Sequence, residues 1–213
     1  MDIYFVRHGQ SDGDITNVHE GRADLPLTNK GVNQAKTMSN FFIDKQIDCI
    51  WASPLQRAHT TAEILKENHL NHNKPSGDSE EVDPTDKLPL ILLDDLKEWN
   101  NGVLAGMKRS EARKIFPKPK VRKWHESVSE GESELSFRYR ATNTVEYILD
   151  ESRKNKYKTI VIVSHGAIIS RMLQALLGLP FKTNVLFQSG DTGIHHISIK
   201  KENTIVRFMN HTE

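Results

Sequence analysis

Two stretches of this chain break from apolar to polar in the same way. Ile3-Tyr4-Phe5-Val6 is a short β-favouring run that stops at Arg7-His8-Gly9-Gln10-Ser11. Thr159-Ile160-Val161-Ile162-Val163 is another, and it stops at Ser164-His165-Gly166. Continuous apolar runs of this length predict strands buried on both faces, the kind found in parallel sheets. Between and after them the period changes repeatedly from strand to helix. Val32, Ala35, Met38 and Phe42 recur at helical spacing behind Thr28, a good N-cap. Residues 47–52 form a second apolar run, after which Ser53 is expected to cap a helix with Pro54 in its first turn. The apolar face of that helix is Leu55, Ala58, Ala62 and Leu65. Residues 90–93 resume as a strand, 110–116 read as a short helix ended by Pro117 and Pro119, and 133–152 as a long one. The long helix buries Phe137, Thr144, Val145, Ile148 and Leu149. A helix over 167–177 follows the second His-Gly, and strands at 194–199 and 204–209 make an antiparallel hairpin. Residues 12–29 read as a polar loop, and 68–87 as a surface excursion carrying Pro75, Gly77 and Pro84. The alternation predicts an α/β fold: a three-layer sandwich with a mostly parallel central sheet.

Composition narrows this picture rather than redirecting it. With 213 residues the chain suffices for one domain, or for a core with a small cap. A net charge of +1 gives no reason to expect nucleic acid or a membrane surface as partner through bulk charge. Cys49 is the only cysteine, so no intrachain disulfide can form, which fits a reducing cytoplasm. No apolar run approaches membrane-spanning length, and Asp2 stands where a signal peptide would need a basic start. The expected location is cytoplasmic.

Candidate chemistry gathers where the strands end. In open α/β sheets ligands bind beyond the carboxyl ends of the strands. Arg7, His8 and His165 would all arrive at that edge, and Gly9 would let the backbone turn tightly towards a ligand. A single histidine after a strand is usually only a polar residue at a strand end; the repeat and the neighbouring arginine change the odds. A metal would call for carboxylate or thiolate ligands and would not normally seat an arginine beside the cation. A phosphate explains all three, because guanidinium and imidazole N–H groups donate to its oxygens. Arg57 falls in the first turn of the helix after Ser53-Pro54, near the same edge. Among Asp94, Asp95 and Glu98, one carboxylate after the 90–93 strand is placed to reach the ligand. Residues 107–124 carry Lys108, Arg109, Arg113, Lys114, Lys118, Lys120, Arg122 and Lys123, either a solvated face or a substrate-contacting cap.

Taken together these residues resemble the histidine phosphatase superfamily, with its phosphoglycerate mutase-like fold. Arg7-His8-Gly9-Gln10-Ser11 is similar to the name-giving motif. Gly21, Asp24, Pro26-Leu27-Thr28, Gly31 and Gln34-Ala35 match the region after it, and Ser53-Pro54-Leu55, Arg57-Ala58 and Thr61-Ala62 the second motif. Leu96, Glu98, Gly102 and Gly106, then Gly131-Glu132-Ser133, then Ser164-His165-Gly166 match the remainder in order. The resemblance implies His8 as a transiently phosphorylated nucleophile, Arg7, Arg57 and His165 as the clamp on the transferring group, and Glu98 as acid and base. It implies substrate contacts from Arg7, Gln10, Ser11, Gly21, Arg57 and Gly166, a small phosphorylated metabolite as substrate, and neither metal nor cofactor. It implies one domain over 1–213, with residues about 99–130 a small cap-like insertion over the site. Mutases of the family follow the glutamate with Arg-His-Tyr-Gly, where this chain has Trp99-Asn100-Asn101-Gly102, and carry Trp-Asn where Gly13-Asp14 stand. Those departures favour hydrolysis over transfer. A cofactor-dependent phosphoglycerate mutase, or a phosphoprotein or phospho-ligand signalling module, are the alternatives.

Overall fold

The computed structural model describes residues 1–73, 88–117 and 123–212. Pro75, Gly77, Glu80, Glu81 and Pro84 of the expected surface excursion lie outside the described residues, as do Lys118, Pro119, Lys120 and Arg122. Six strands form one sheet among the described residues: β1 (Asp2–Arg7), β2 (Cys49–Ala52), β3 (Leu90–Leu92), β4 (Thr159–Ser164), β5 (Ile194–Lys200) and β6 (Asn203–His211). Their spatial order is β3-β2-β4-β1-β5-β6. The β1–β4, β2–β4 and β2–β3 pairings are parallel, and β5 and β6 add an antiparallel flank.

Both faces of the central strands are buried, and the period of two assigns each residue to a side. Ile3 and Phe5 of β1, Cys49 and Trp51 of β2, and Ile160 and Ile162 of β4 enter one core. It is completed by α5 (Glu134–Lys154) and α6 (Gly166–Leu176), through residues such as Phe137, Ile148, Ile169 and Leu173. Tyr4, Val6, Ile50, Ala52, Val161 and Val163 point the other way. They meet Met38 of α2 (Asn29–Asn40) and Ala58, Ala62 and Leu65 of α3 (Gln56–His72). The three-layer sandwich read from the sequence is the observed one.

Local readings fare unevenly. Thr28 caps α2 by accepting from Gly31 N–H, and Ser133 caps α5 by accepting from Ser136 N–H. Phe42 is buried as its spacing implied, but α2 ends at Asn40 and Phe42 lies in the turn beyond it. The 12–29 loop contains a short helix, α1 (Asp12–Thr16), because Ser11 and Asp14 make a reciprocal capping box. Helix α3 starts at Gln56 rather than at Pro54, and it runs through Asn68 to His72, past the boundary the sequence suggested. Ser53 does not cap it: the N-cap is Leu55, without a side-chain bond. Gly9 also serves a different purpose from the expected one. A Cβ there would lie 2.4 Å from the carbonyl oxygen of Gly31, so the glycine lets the start of α2 pack against the turn after β1.

Candidate active site

Parallel pairing aligns the ends of β1 and β4, with Arg7 opposite Ser164. The next residues, His8 and His165, therefore stand side by side, their ring centroids 5.0 Å apart and planes inclined by 62°. Both rings are buried. His8 Nδ1 lies 2.7 Å from the carbonyl oxygen of Gly9. A carbonyl only accepts, so Nδ1 carries the ring proton and Nε2 presents a lone pair. Arg57 Nε donates to that same Nε2 at 3.3 Å, which demands the same tautomer. Burial pushes the His8 pKa down to about 3, helped by the charges of Arg57 and Arg7. The ring is neutral at pH 7.

His165 Nε2 is 2.8 Å from Ser53 Oγ. That hydroxyl oxygen accepts from Leu55 N–H at 3.3 Å, so its one proton is free to point at the imidazole. His165 Nδ1 is a buried atom with no hydrogen-bond partner among the described residues. Burial first, then the charges of Arg57, His8 and Arg7, holds the His165 pKa well below the ordinary histidine value. A buried polar atom without a partner is costly unless a ligand supplies one, and with Ser53 Oγ donating to Nε2 the Nδ1–H would be the donor it meets.

The two arginines are fixed differently. Arg57 is fully buried, and its Nη1 and Nη2 donate to the carbonyl oxygens of Ala23 and Gly21, both at 2.9 Å. Gly21 has φ +50, and a Cβ there would lie 2.7 Å from the Asn101 side chain, so glycine shapes the carbonyl that holds Arg57. Arg7 Nη1 donates to Ser189 O at 2.9 Å and lies 3.5 Å from Asp191 Oδ1. Its Nη2 donates to Asp14 Oδ1 at 3.1 Å.

Glu98 reaches the same cleft from the loop after β3. Trp99 N–H and Ile168 N–H donate to its Oε1 at 2.8 and 3.2 Å, and Ala167 N–H to its Oε2 at 3.0 Å. The carboxylate thus covers the start of α6. Its loop is braced by Arg140 of α5, which donates to the carbonyls of Asp95, Lys97 and Glu98 and grips both oxygens of Glu132. Ser164 Oγ donates to Leu96 O at 2.6 Å, joining the loop to the end of β4.

Arg7, His8, Gly21, Arg57, Glu98 and Gly166 line one cleft of about 320 Å³, room for a small molecule. His165 lies behind His8. Gln10 and Ser11 are not brought to the cleft. The Gln10 side-chain oxygen accepts from Thr28 Oγ1 at 3.1 Å, and its N–H donates to Gln34 Oε1. Ser11 is fully buried, and its hydroxyl contacts the carboxylates of Asp14 and Glu20. Asp94 and Asp95 are exposed, and Asp94 pairs with Lys97.

Several contributors were not singled out by the sequence. Ser53 was assigned to a helix cap, whereas its hydroxyl meets His165 Nε2 at 2.8 Å. Arg140 and Asp191 went unremarked in the sequence reading. Arg109 was one of eight basic residues in its run; it alone of that run lines the cleft among the described residues. Its position follows from backbone pairing of that segment with residues 17–19: Arg109 N–H donates to Asn17 O, and His19 N–H to Met107 O. Its guanidinium has no side-chain partner among the described residues.

Comparison with known proteins comes to the same place. The family model described as histidine phosphatase superfamily (branch 1) matches residues 3–212. The chain is 30% identical over 184 residues to a protein of Bacillus subtilis named uncharacterized phosphatase PhoE, covering 83% of this chain and 77% of that one. It is 29% identical over 200 residues to a 2,3-bisphosphoglycerate-dependent phosphoglycerate mutase of Bartonella quintana, covering 90% and 88%. Among solved structures, the alpha-ribazole phosphatase of Shigella flexneri superimposes with a TM-score of 0.81 at 22% identity, over 99% of this chain and 96% of that one.

Proposed function

The chain belongs to the histidine phosphatase superfamily, and from that premise we propose that it hydrolyses phosphomonoesters of small metabolites in two steps, through a phosphohistidine on His8. The observation that carries this reading is the state of His8. Gly9 O holds the proton on Nδ1 at 2.7 Å, and burial keeps the ring neutral, so Nε2 keeps its lone pair, which accepts from Arg57 Nε at 3.3 Å until a phosphoryl group takes its place. In the first step Nε2 attacks phosphorus, the ester P–O bond breaks, and the leaving alkoxide takes a proton from the Glu98 carboxyl group. In the second, water attacks the phosphohistidine while Glu98 takes its proton; the P–N bond breaks and the lone pair returns to Nε2.

The other groups suit a charge that spreads over the equatorial phosphoryl oxygens. Arg7 and Arg57 supply fixed positive charge, and His165 Nδ1–H supplies the unpartnered donor. These guanidiniums fill the part a metal ion plays elsewhere. No group of three or more His, Cys, Asp or Glu side chains able to hold a metal occurs among the described residues. Arg109, which also lines the cleft, suits a second anionic group on the substrate. The Trp99-Asn100-Asn101-Gly102 sequence in place of Arg-His-Tyr-Gly supports hydrolysis over the mutase reaction that the Bartonella relative's name describes.

The test separates the two steps. His8→Ala should form no phosphoenzyme and show almost no turnover. Glu98→Gln should lose roughly 10²–10⁴-fold with alkyl phosphates, the usual worth of general acid–base catalysis. With nitrophenyl phosphate, whose leaving group needs little protonation, it should instead accumulate an acid-labile, base-stable phosphoenzyme after rapid mixing. Equal losses on both substrates with nothing trapped would remove Glu98 from the mechanism. Wild-type activity should persist in excess chelator.

A further inference from the structure

We infer that Asp14 is a specificity-determining residue that weakens the cleft's hold on inorganic phosphate and so promotes product release. The inference rests on the phosphatase reading above and concerns the same site. Asp14 lines the cleft beside Arg7 and His8. Its Oδ1 takes the Arg7 Nη2 proton at 3.1 Å, a donor that a phosphoryl oxygen at His8 would otherwise claim. The carboxylate is not free to swing aside. Its Oδ2 accepts from Ser11 N–H at 3.0 Å, which with Asp14 N–H donating back to Ser11 Oγ at 3.3 Å makes the capping box of α1, and the same hydroxyl lies 2.9 Å from Oδ2.

Nor is Asp14 needed to place Arg7. The other guanidinium nitrogen, Nη1, is already braced by Ser189 O at 2.9 Å and by Asp191 at 3.5 Å. Asp191 does not line the cleft, whereas Asp14 does. A second carboxylate on the ligand side of an already oriented arginine neutralises charge that would attract a dianion, and it stands next to that dianion once bound. Like charges held this close oppose binding in a partly desolvated site. Burial works against the charged form of Asp14, yet the Ser11 N–H, the Arg7 charge and the Ser11 hydroxyl outweigh it and hold its carboxyl below the ordinary range. The negative charge is therefore present at neutral pH. For an enzyme that must discard phosphate after each turnover, a weaker grip on the product leaves the site open for the next ester.

The experiment measures inorganic phosphate binding to the full chain by calorimetry, and phosphate inhibition of nitrophenyl phosphate hydrolysis. The proteins are wild type, Asp14→Asn and Asp14→Ser, each checked by thermal unfolding. Asparagine keeps an acceptor for Ser11 N–H, and serine retains a small polar group if the amide packs badly; both remove the charge. Phosphate should bind about tenfold more tightly to either folded variant, with the inhibition constant falling in parallel. Unchanged binding would overturn the inference. Weaker binding would do so as well, because it would make Asp14 a support for Arg7. Calorimetry needs no turnover, so a wild-type protein that fails to hydrolyse esters would count against the catalytic reading and leave the binding comparison intact.

Discussion

At the scale of single residues, the site depends on where protons are held. His8 and His165 share a strand-end position, but their ring nitrogens meet different neighbours. Gly9 O pins the His8 proton on Nδ1, whereas Ser53 Oγ meets Nε2 of His165 and leaves its buried Nδ1 without a partner among the described residues. His8 thereby keeps a lone pair on Nε2, and His165 keeps an unpartnered ring nitrogen. Arg109 raises the question of which esters are preferred. Its guanidinium stands on the cleft wall without a side-chain partner among the described residues, and a bare cation there favours substrates with a second anionic group. Arg109→Ala should raise KM about tenfold for phosphorylated acids or bisphosphates, while KM for nitrophenyl phosphate shifts less than about twofold. Equal changes in steady-state assays of both substrate classes would assign Arg109 to the solvated surface.

At the scale of elements, one carboxylate does two jobs. Glu98 arrives on the loop after β3 and accepts from Ala167 N–H and Ile168 N–H at the first turn of α6, donors that have no partner within the helix. The group proposed for proton transfer also closes a helix end, which explains how a loop residue is held at the cleft. Stability and activity should therefore separate between two substitutions. Glu98→Gln keeps an amide oxygen as acceptor and should unfold within about a degree of wild type. Glu98→Ala leaves the helix start uncapped, and its loss of about 1 kcal/mol should lower Tm by about 2–4 °C in a chain of this size. Both should lose activity. Matching melting curves for the two variants in calorimetry would mean that the helix start does not depend on this side chain.

At the scale of the whole molecule, burying histidines on the central strands and beyond their ends ties stability to pH. Burial lowers the pKa of His8 to about 3 and of His195 to about 4, and holds His165 well below the ordinary 6.5. Each takes up a proton in the unfolded chain below about pH 6.5 but not in the folded one. The unfolded state then binds more protons, so stability is full above pH 6.5 and falls as pH drops towards the folded values. Asp2, Asp14 and Glu132, whose carboxyls are held below their ordinary values, act in the same direction at lower pH. The urea midpoint should fall clearly between pH 7 and pH 5. A flat profile across that window would show that these rings are protonated in the folded protein.

The sequence by itself determined the layers, the strand ends and most of the chemistry. Apolar runs such as Ile3-Tyr4-Phe5-Val6 can only be buried on two faces, and the period of Val145, Ile148 and Leu149 fits one helix face. Parallel pairing then carries Arg7-His8 and Ser164-His165 to one edge whatever the details. The tertiary structure decided what a linear pattern does not encode, namely which partner each polar atom meets. Ser53 reads locally as a cap, and only the packing of β2 beside β4 turns its hydroxyl towards His165. Gln10 and Ser11 sit in the motif next to His8, yet the start of α2 and the Asp14 capping box draw their side chains away from the cleft. Arg109 lies about a hundred residues from Arg7, and the pairing of its segment with residues 17–19 places it on the cleft wall. Burial and strand pairing follow from short-range periodicity, whereas hydrogen-bond partners across the cleft depend on side chains that meet only once distant segments have packed.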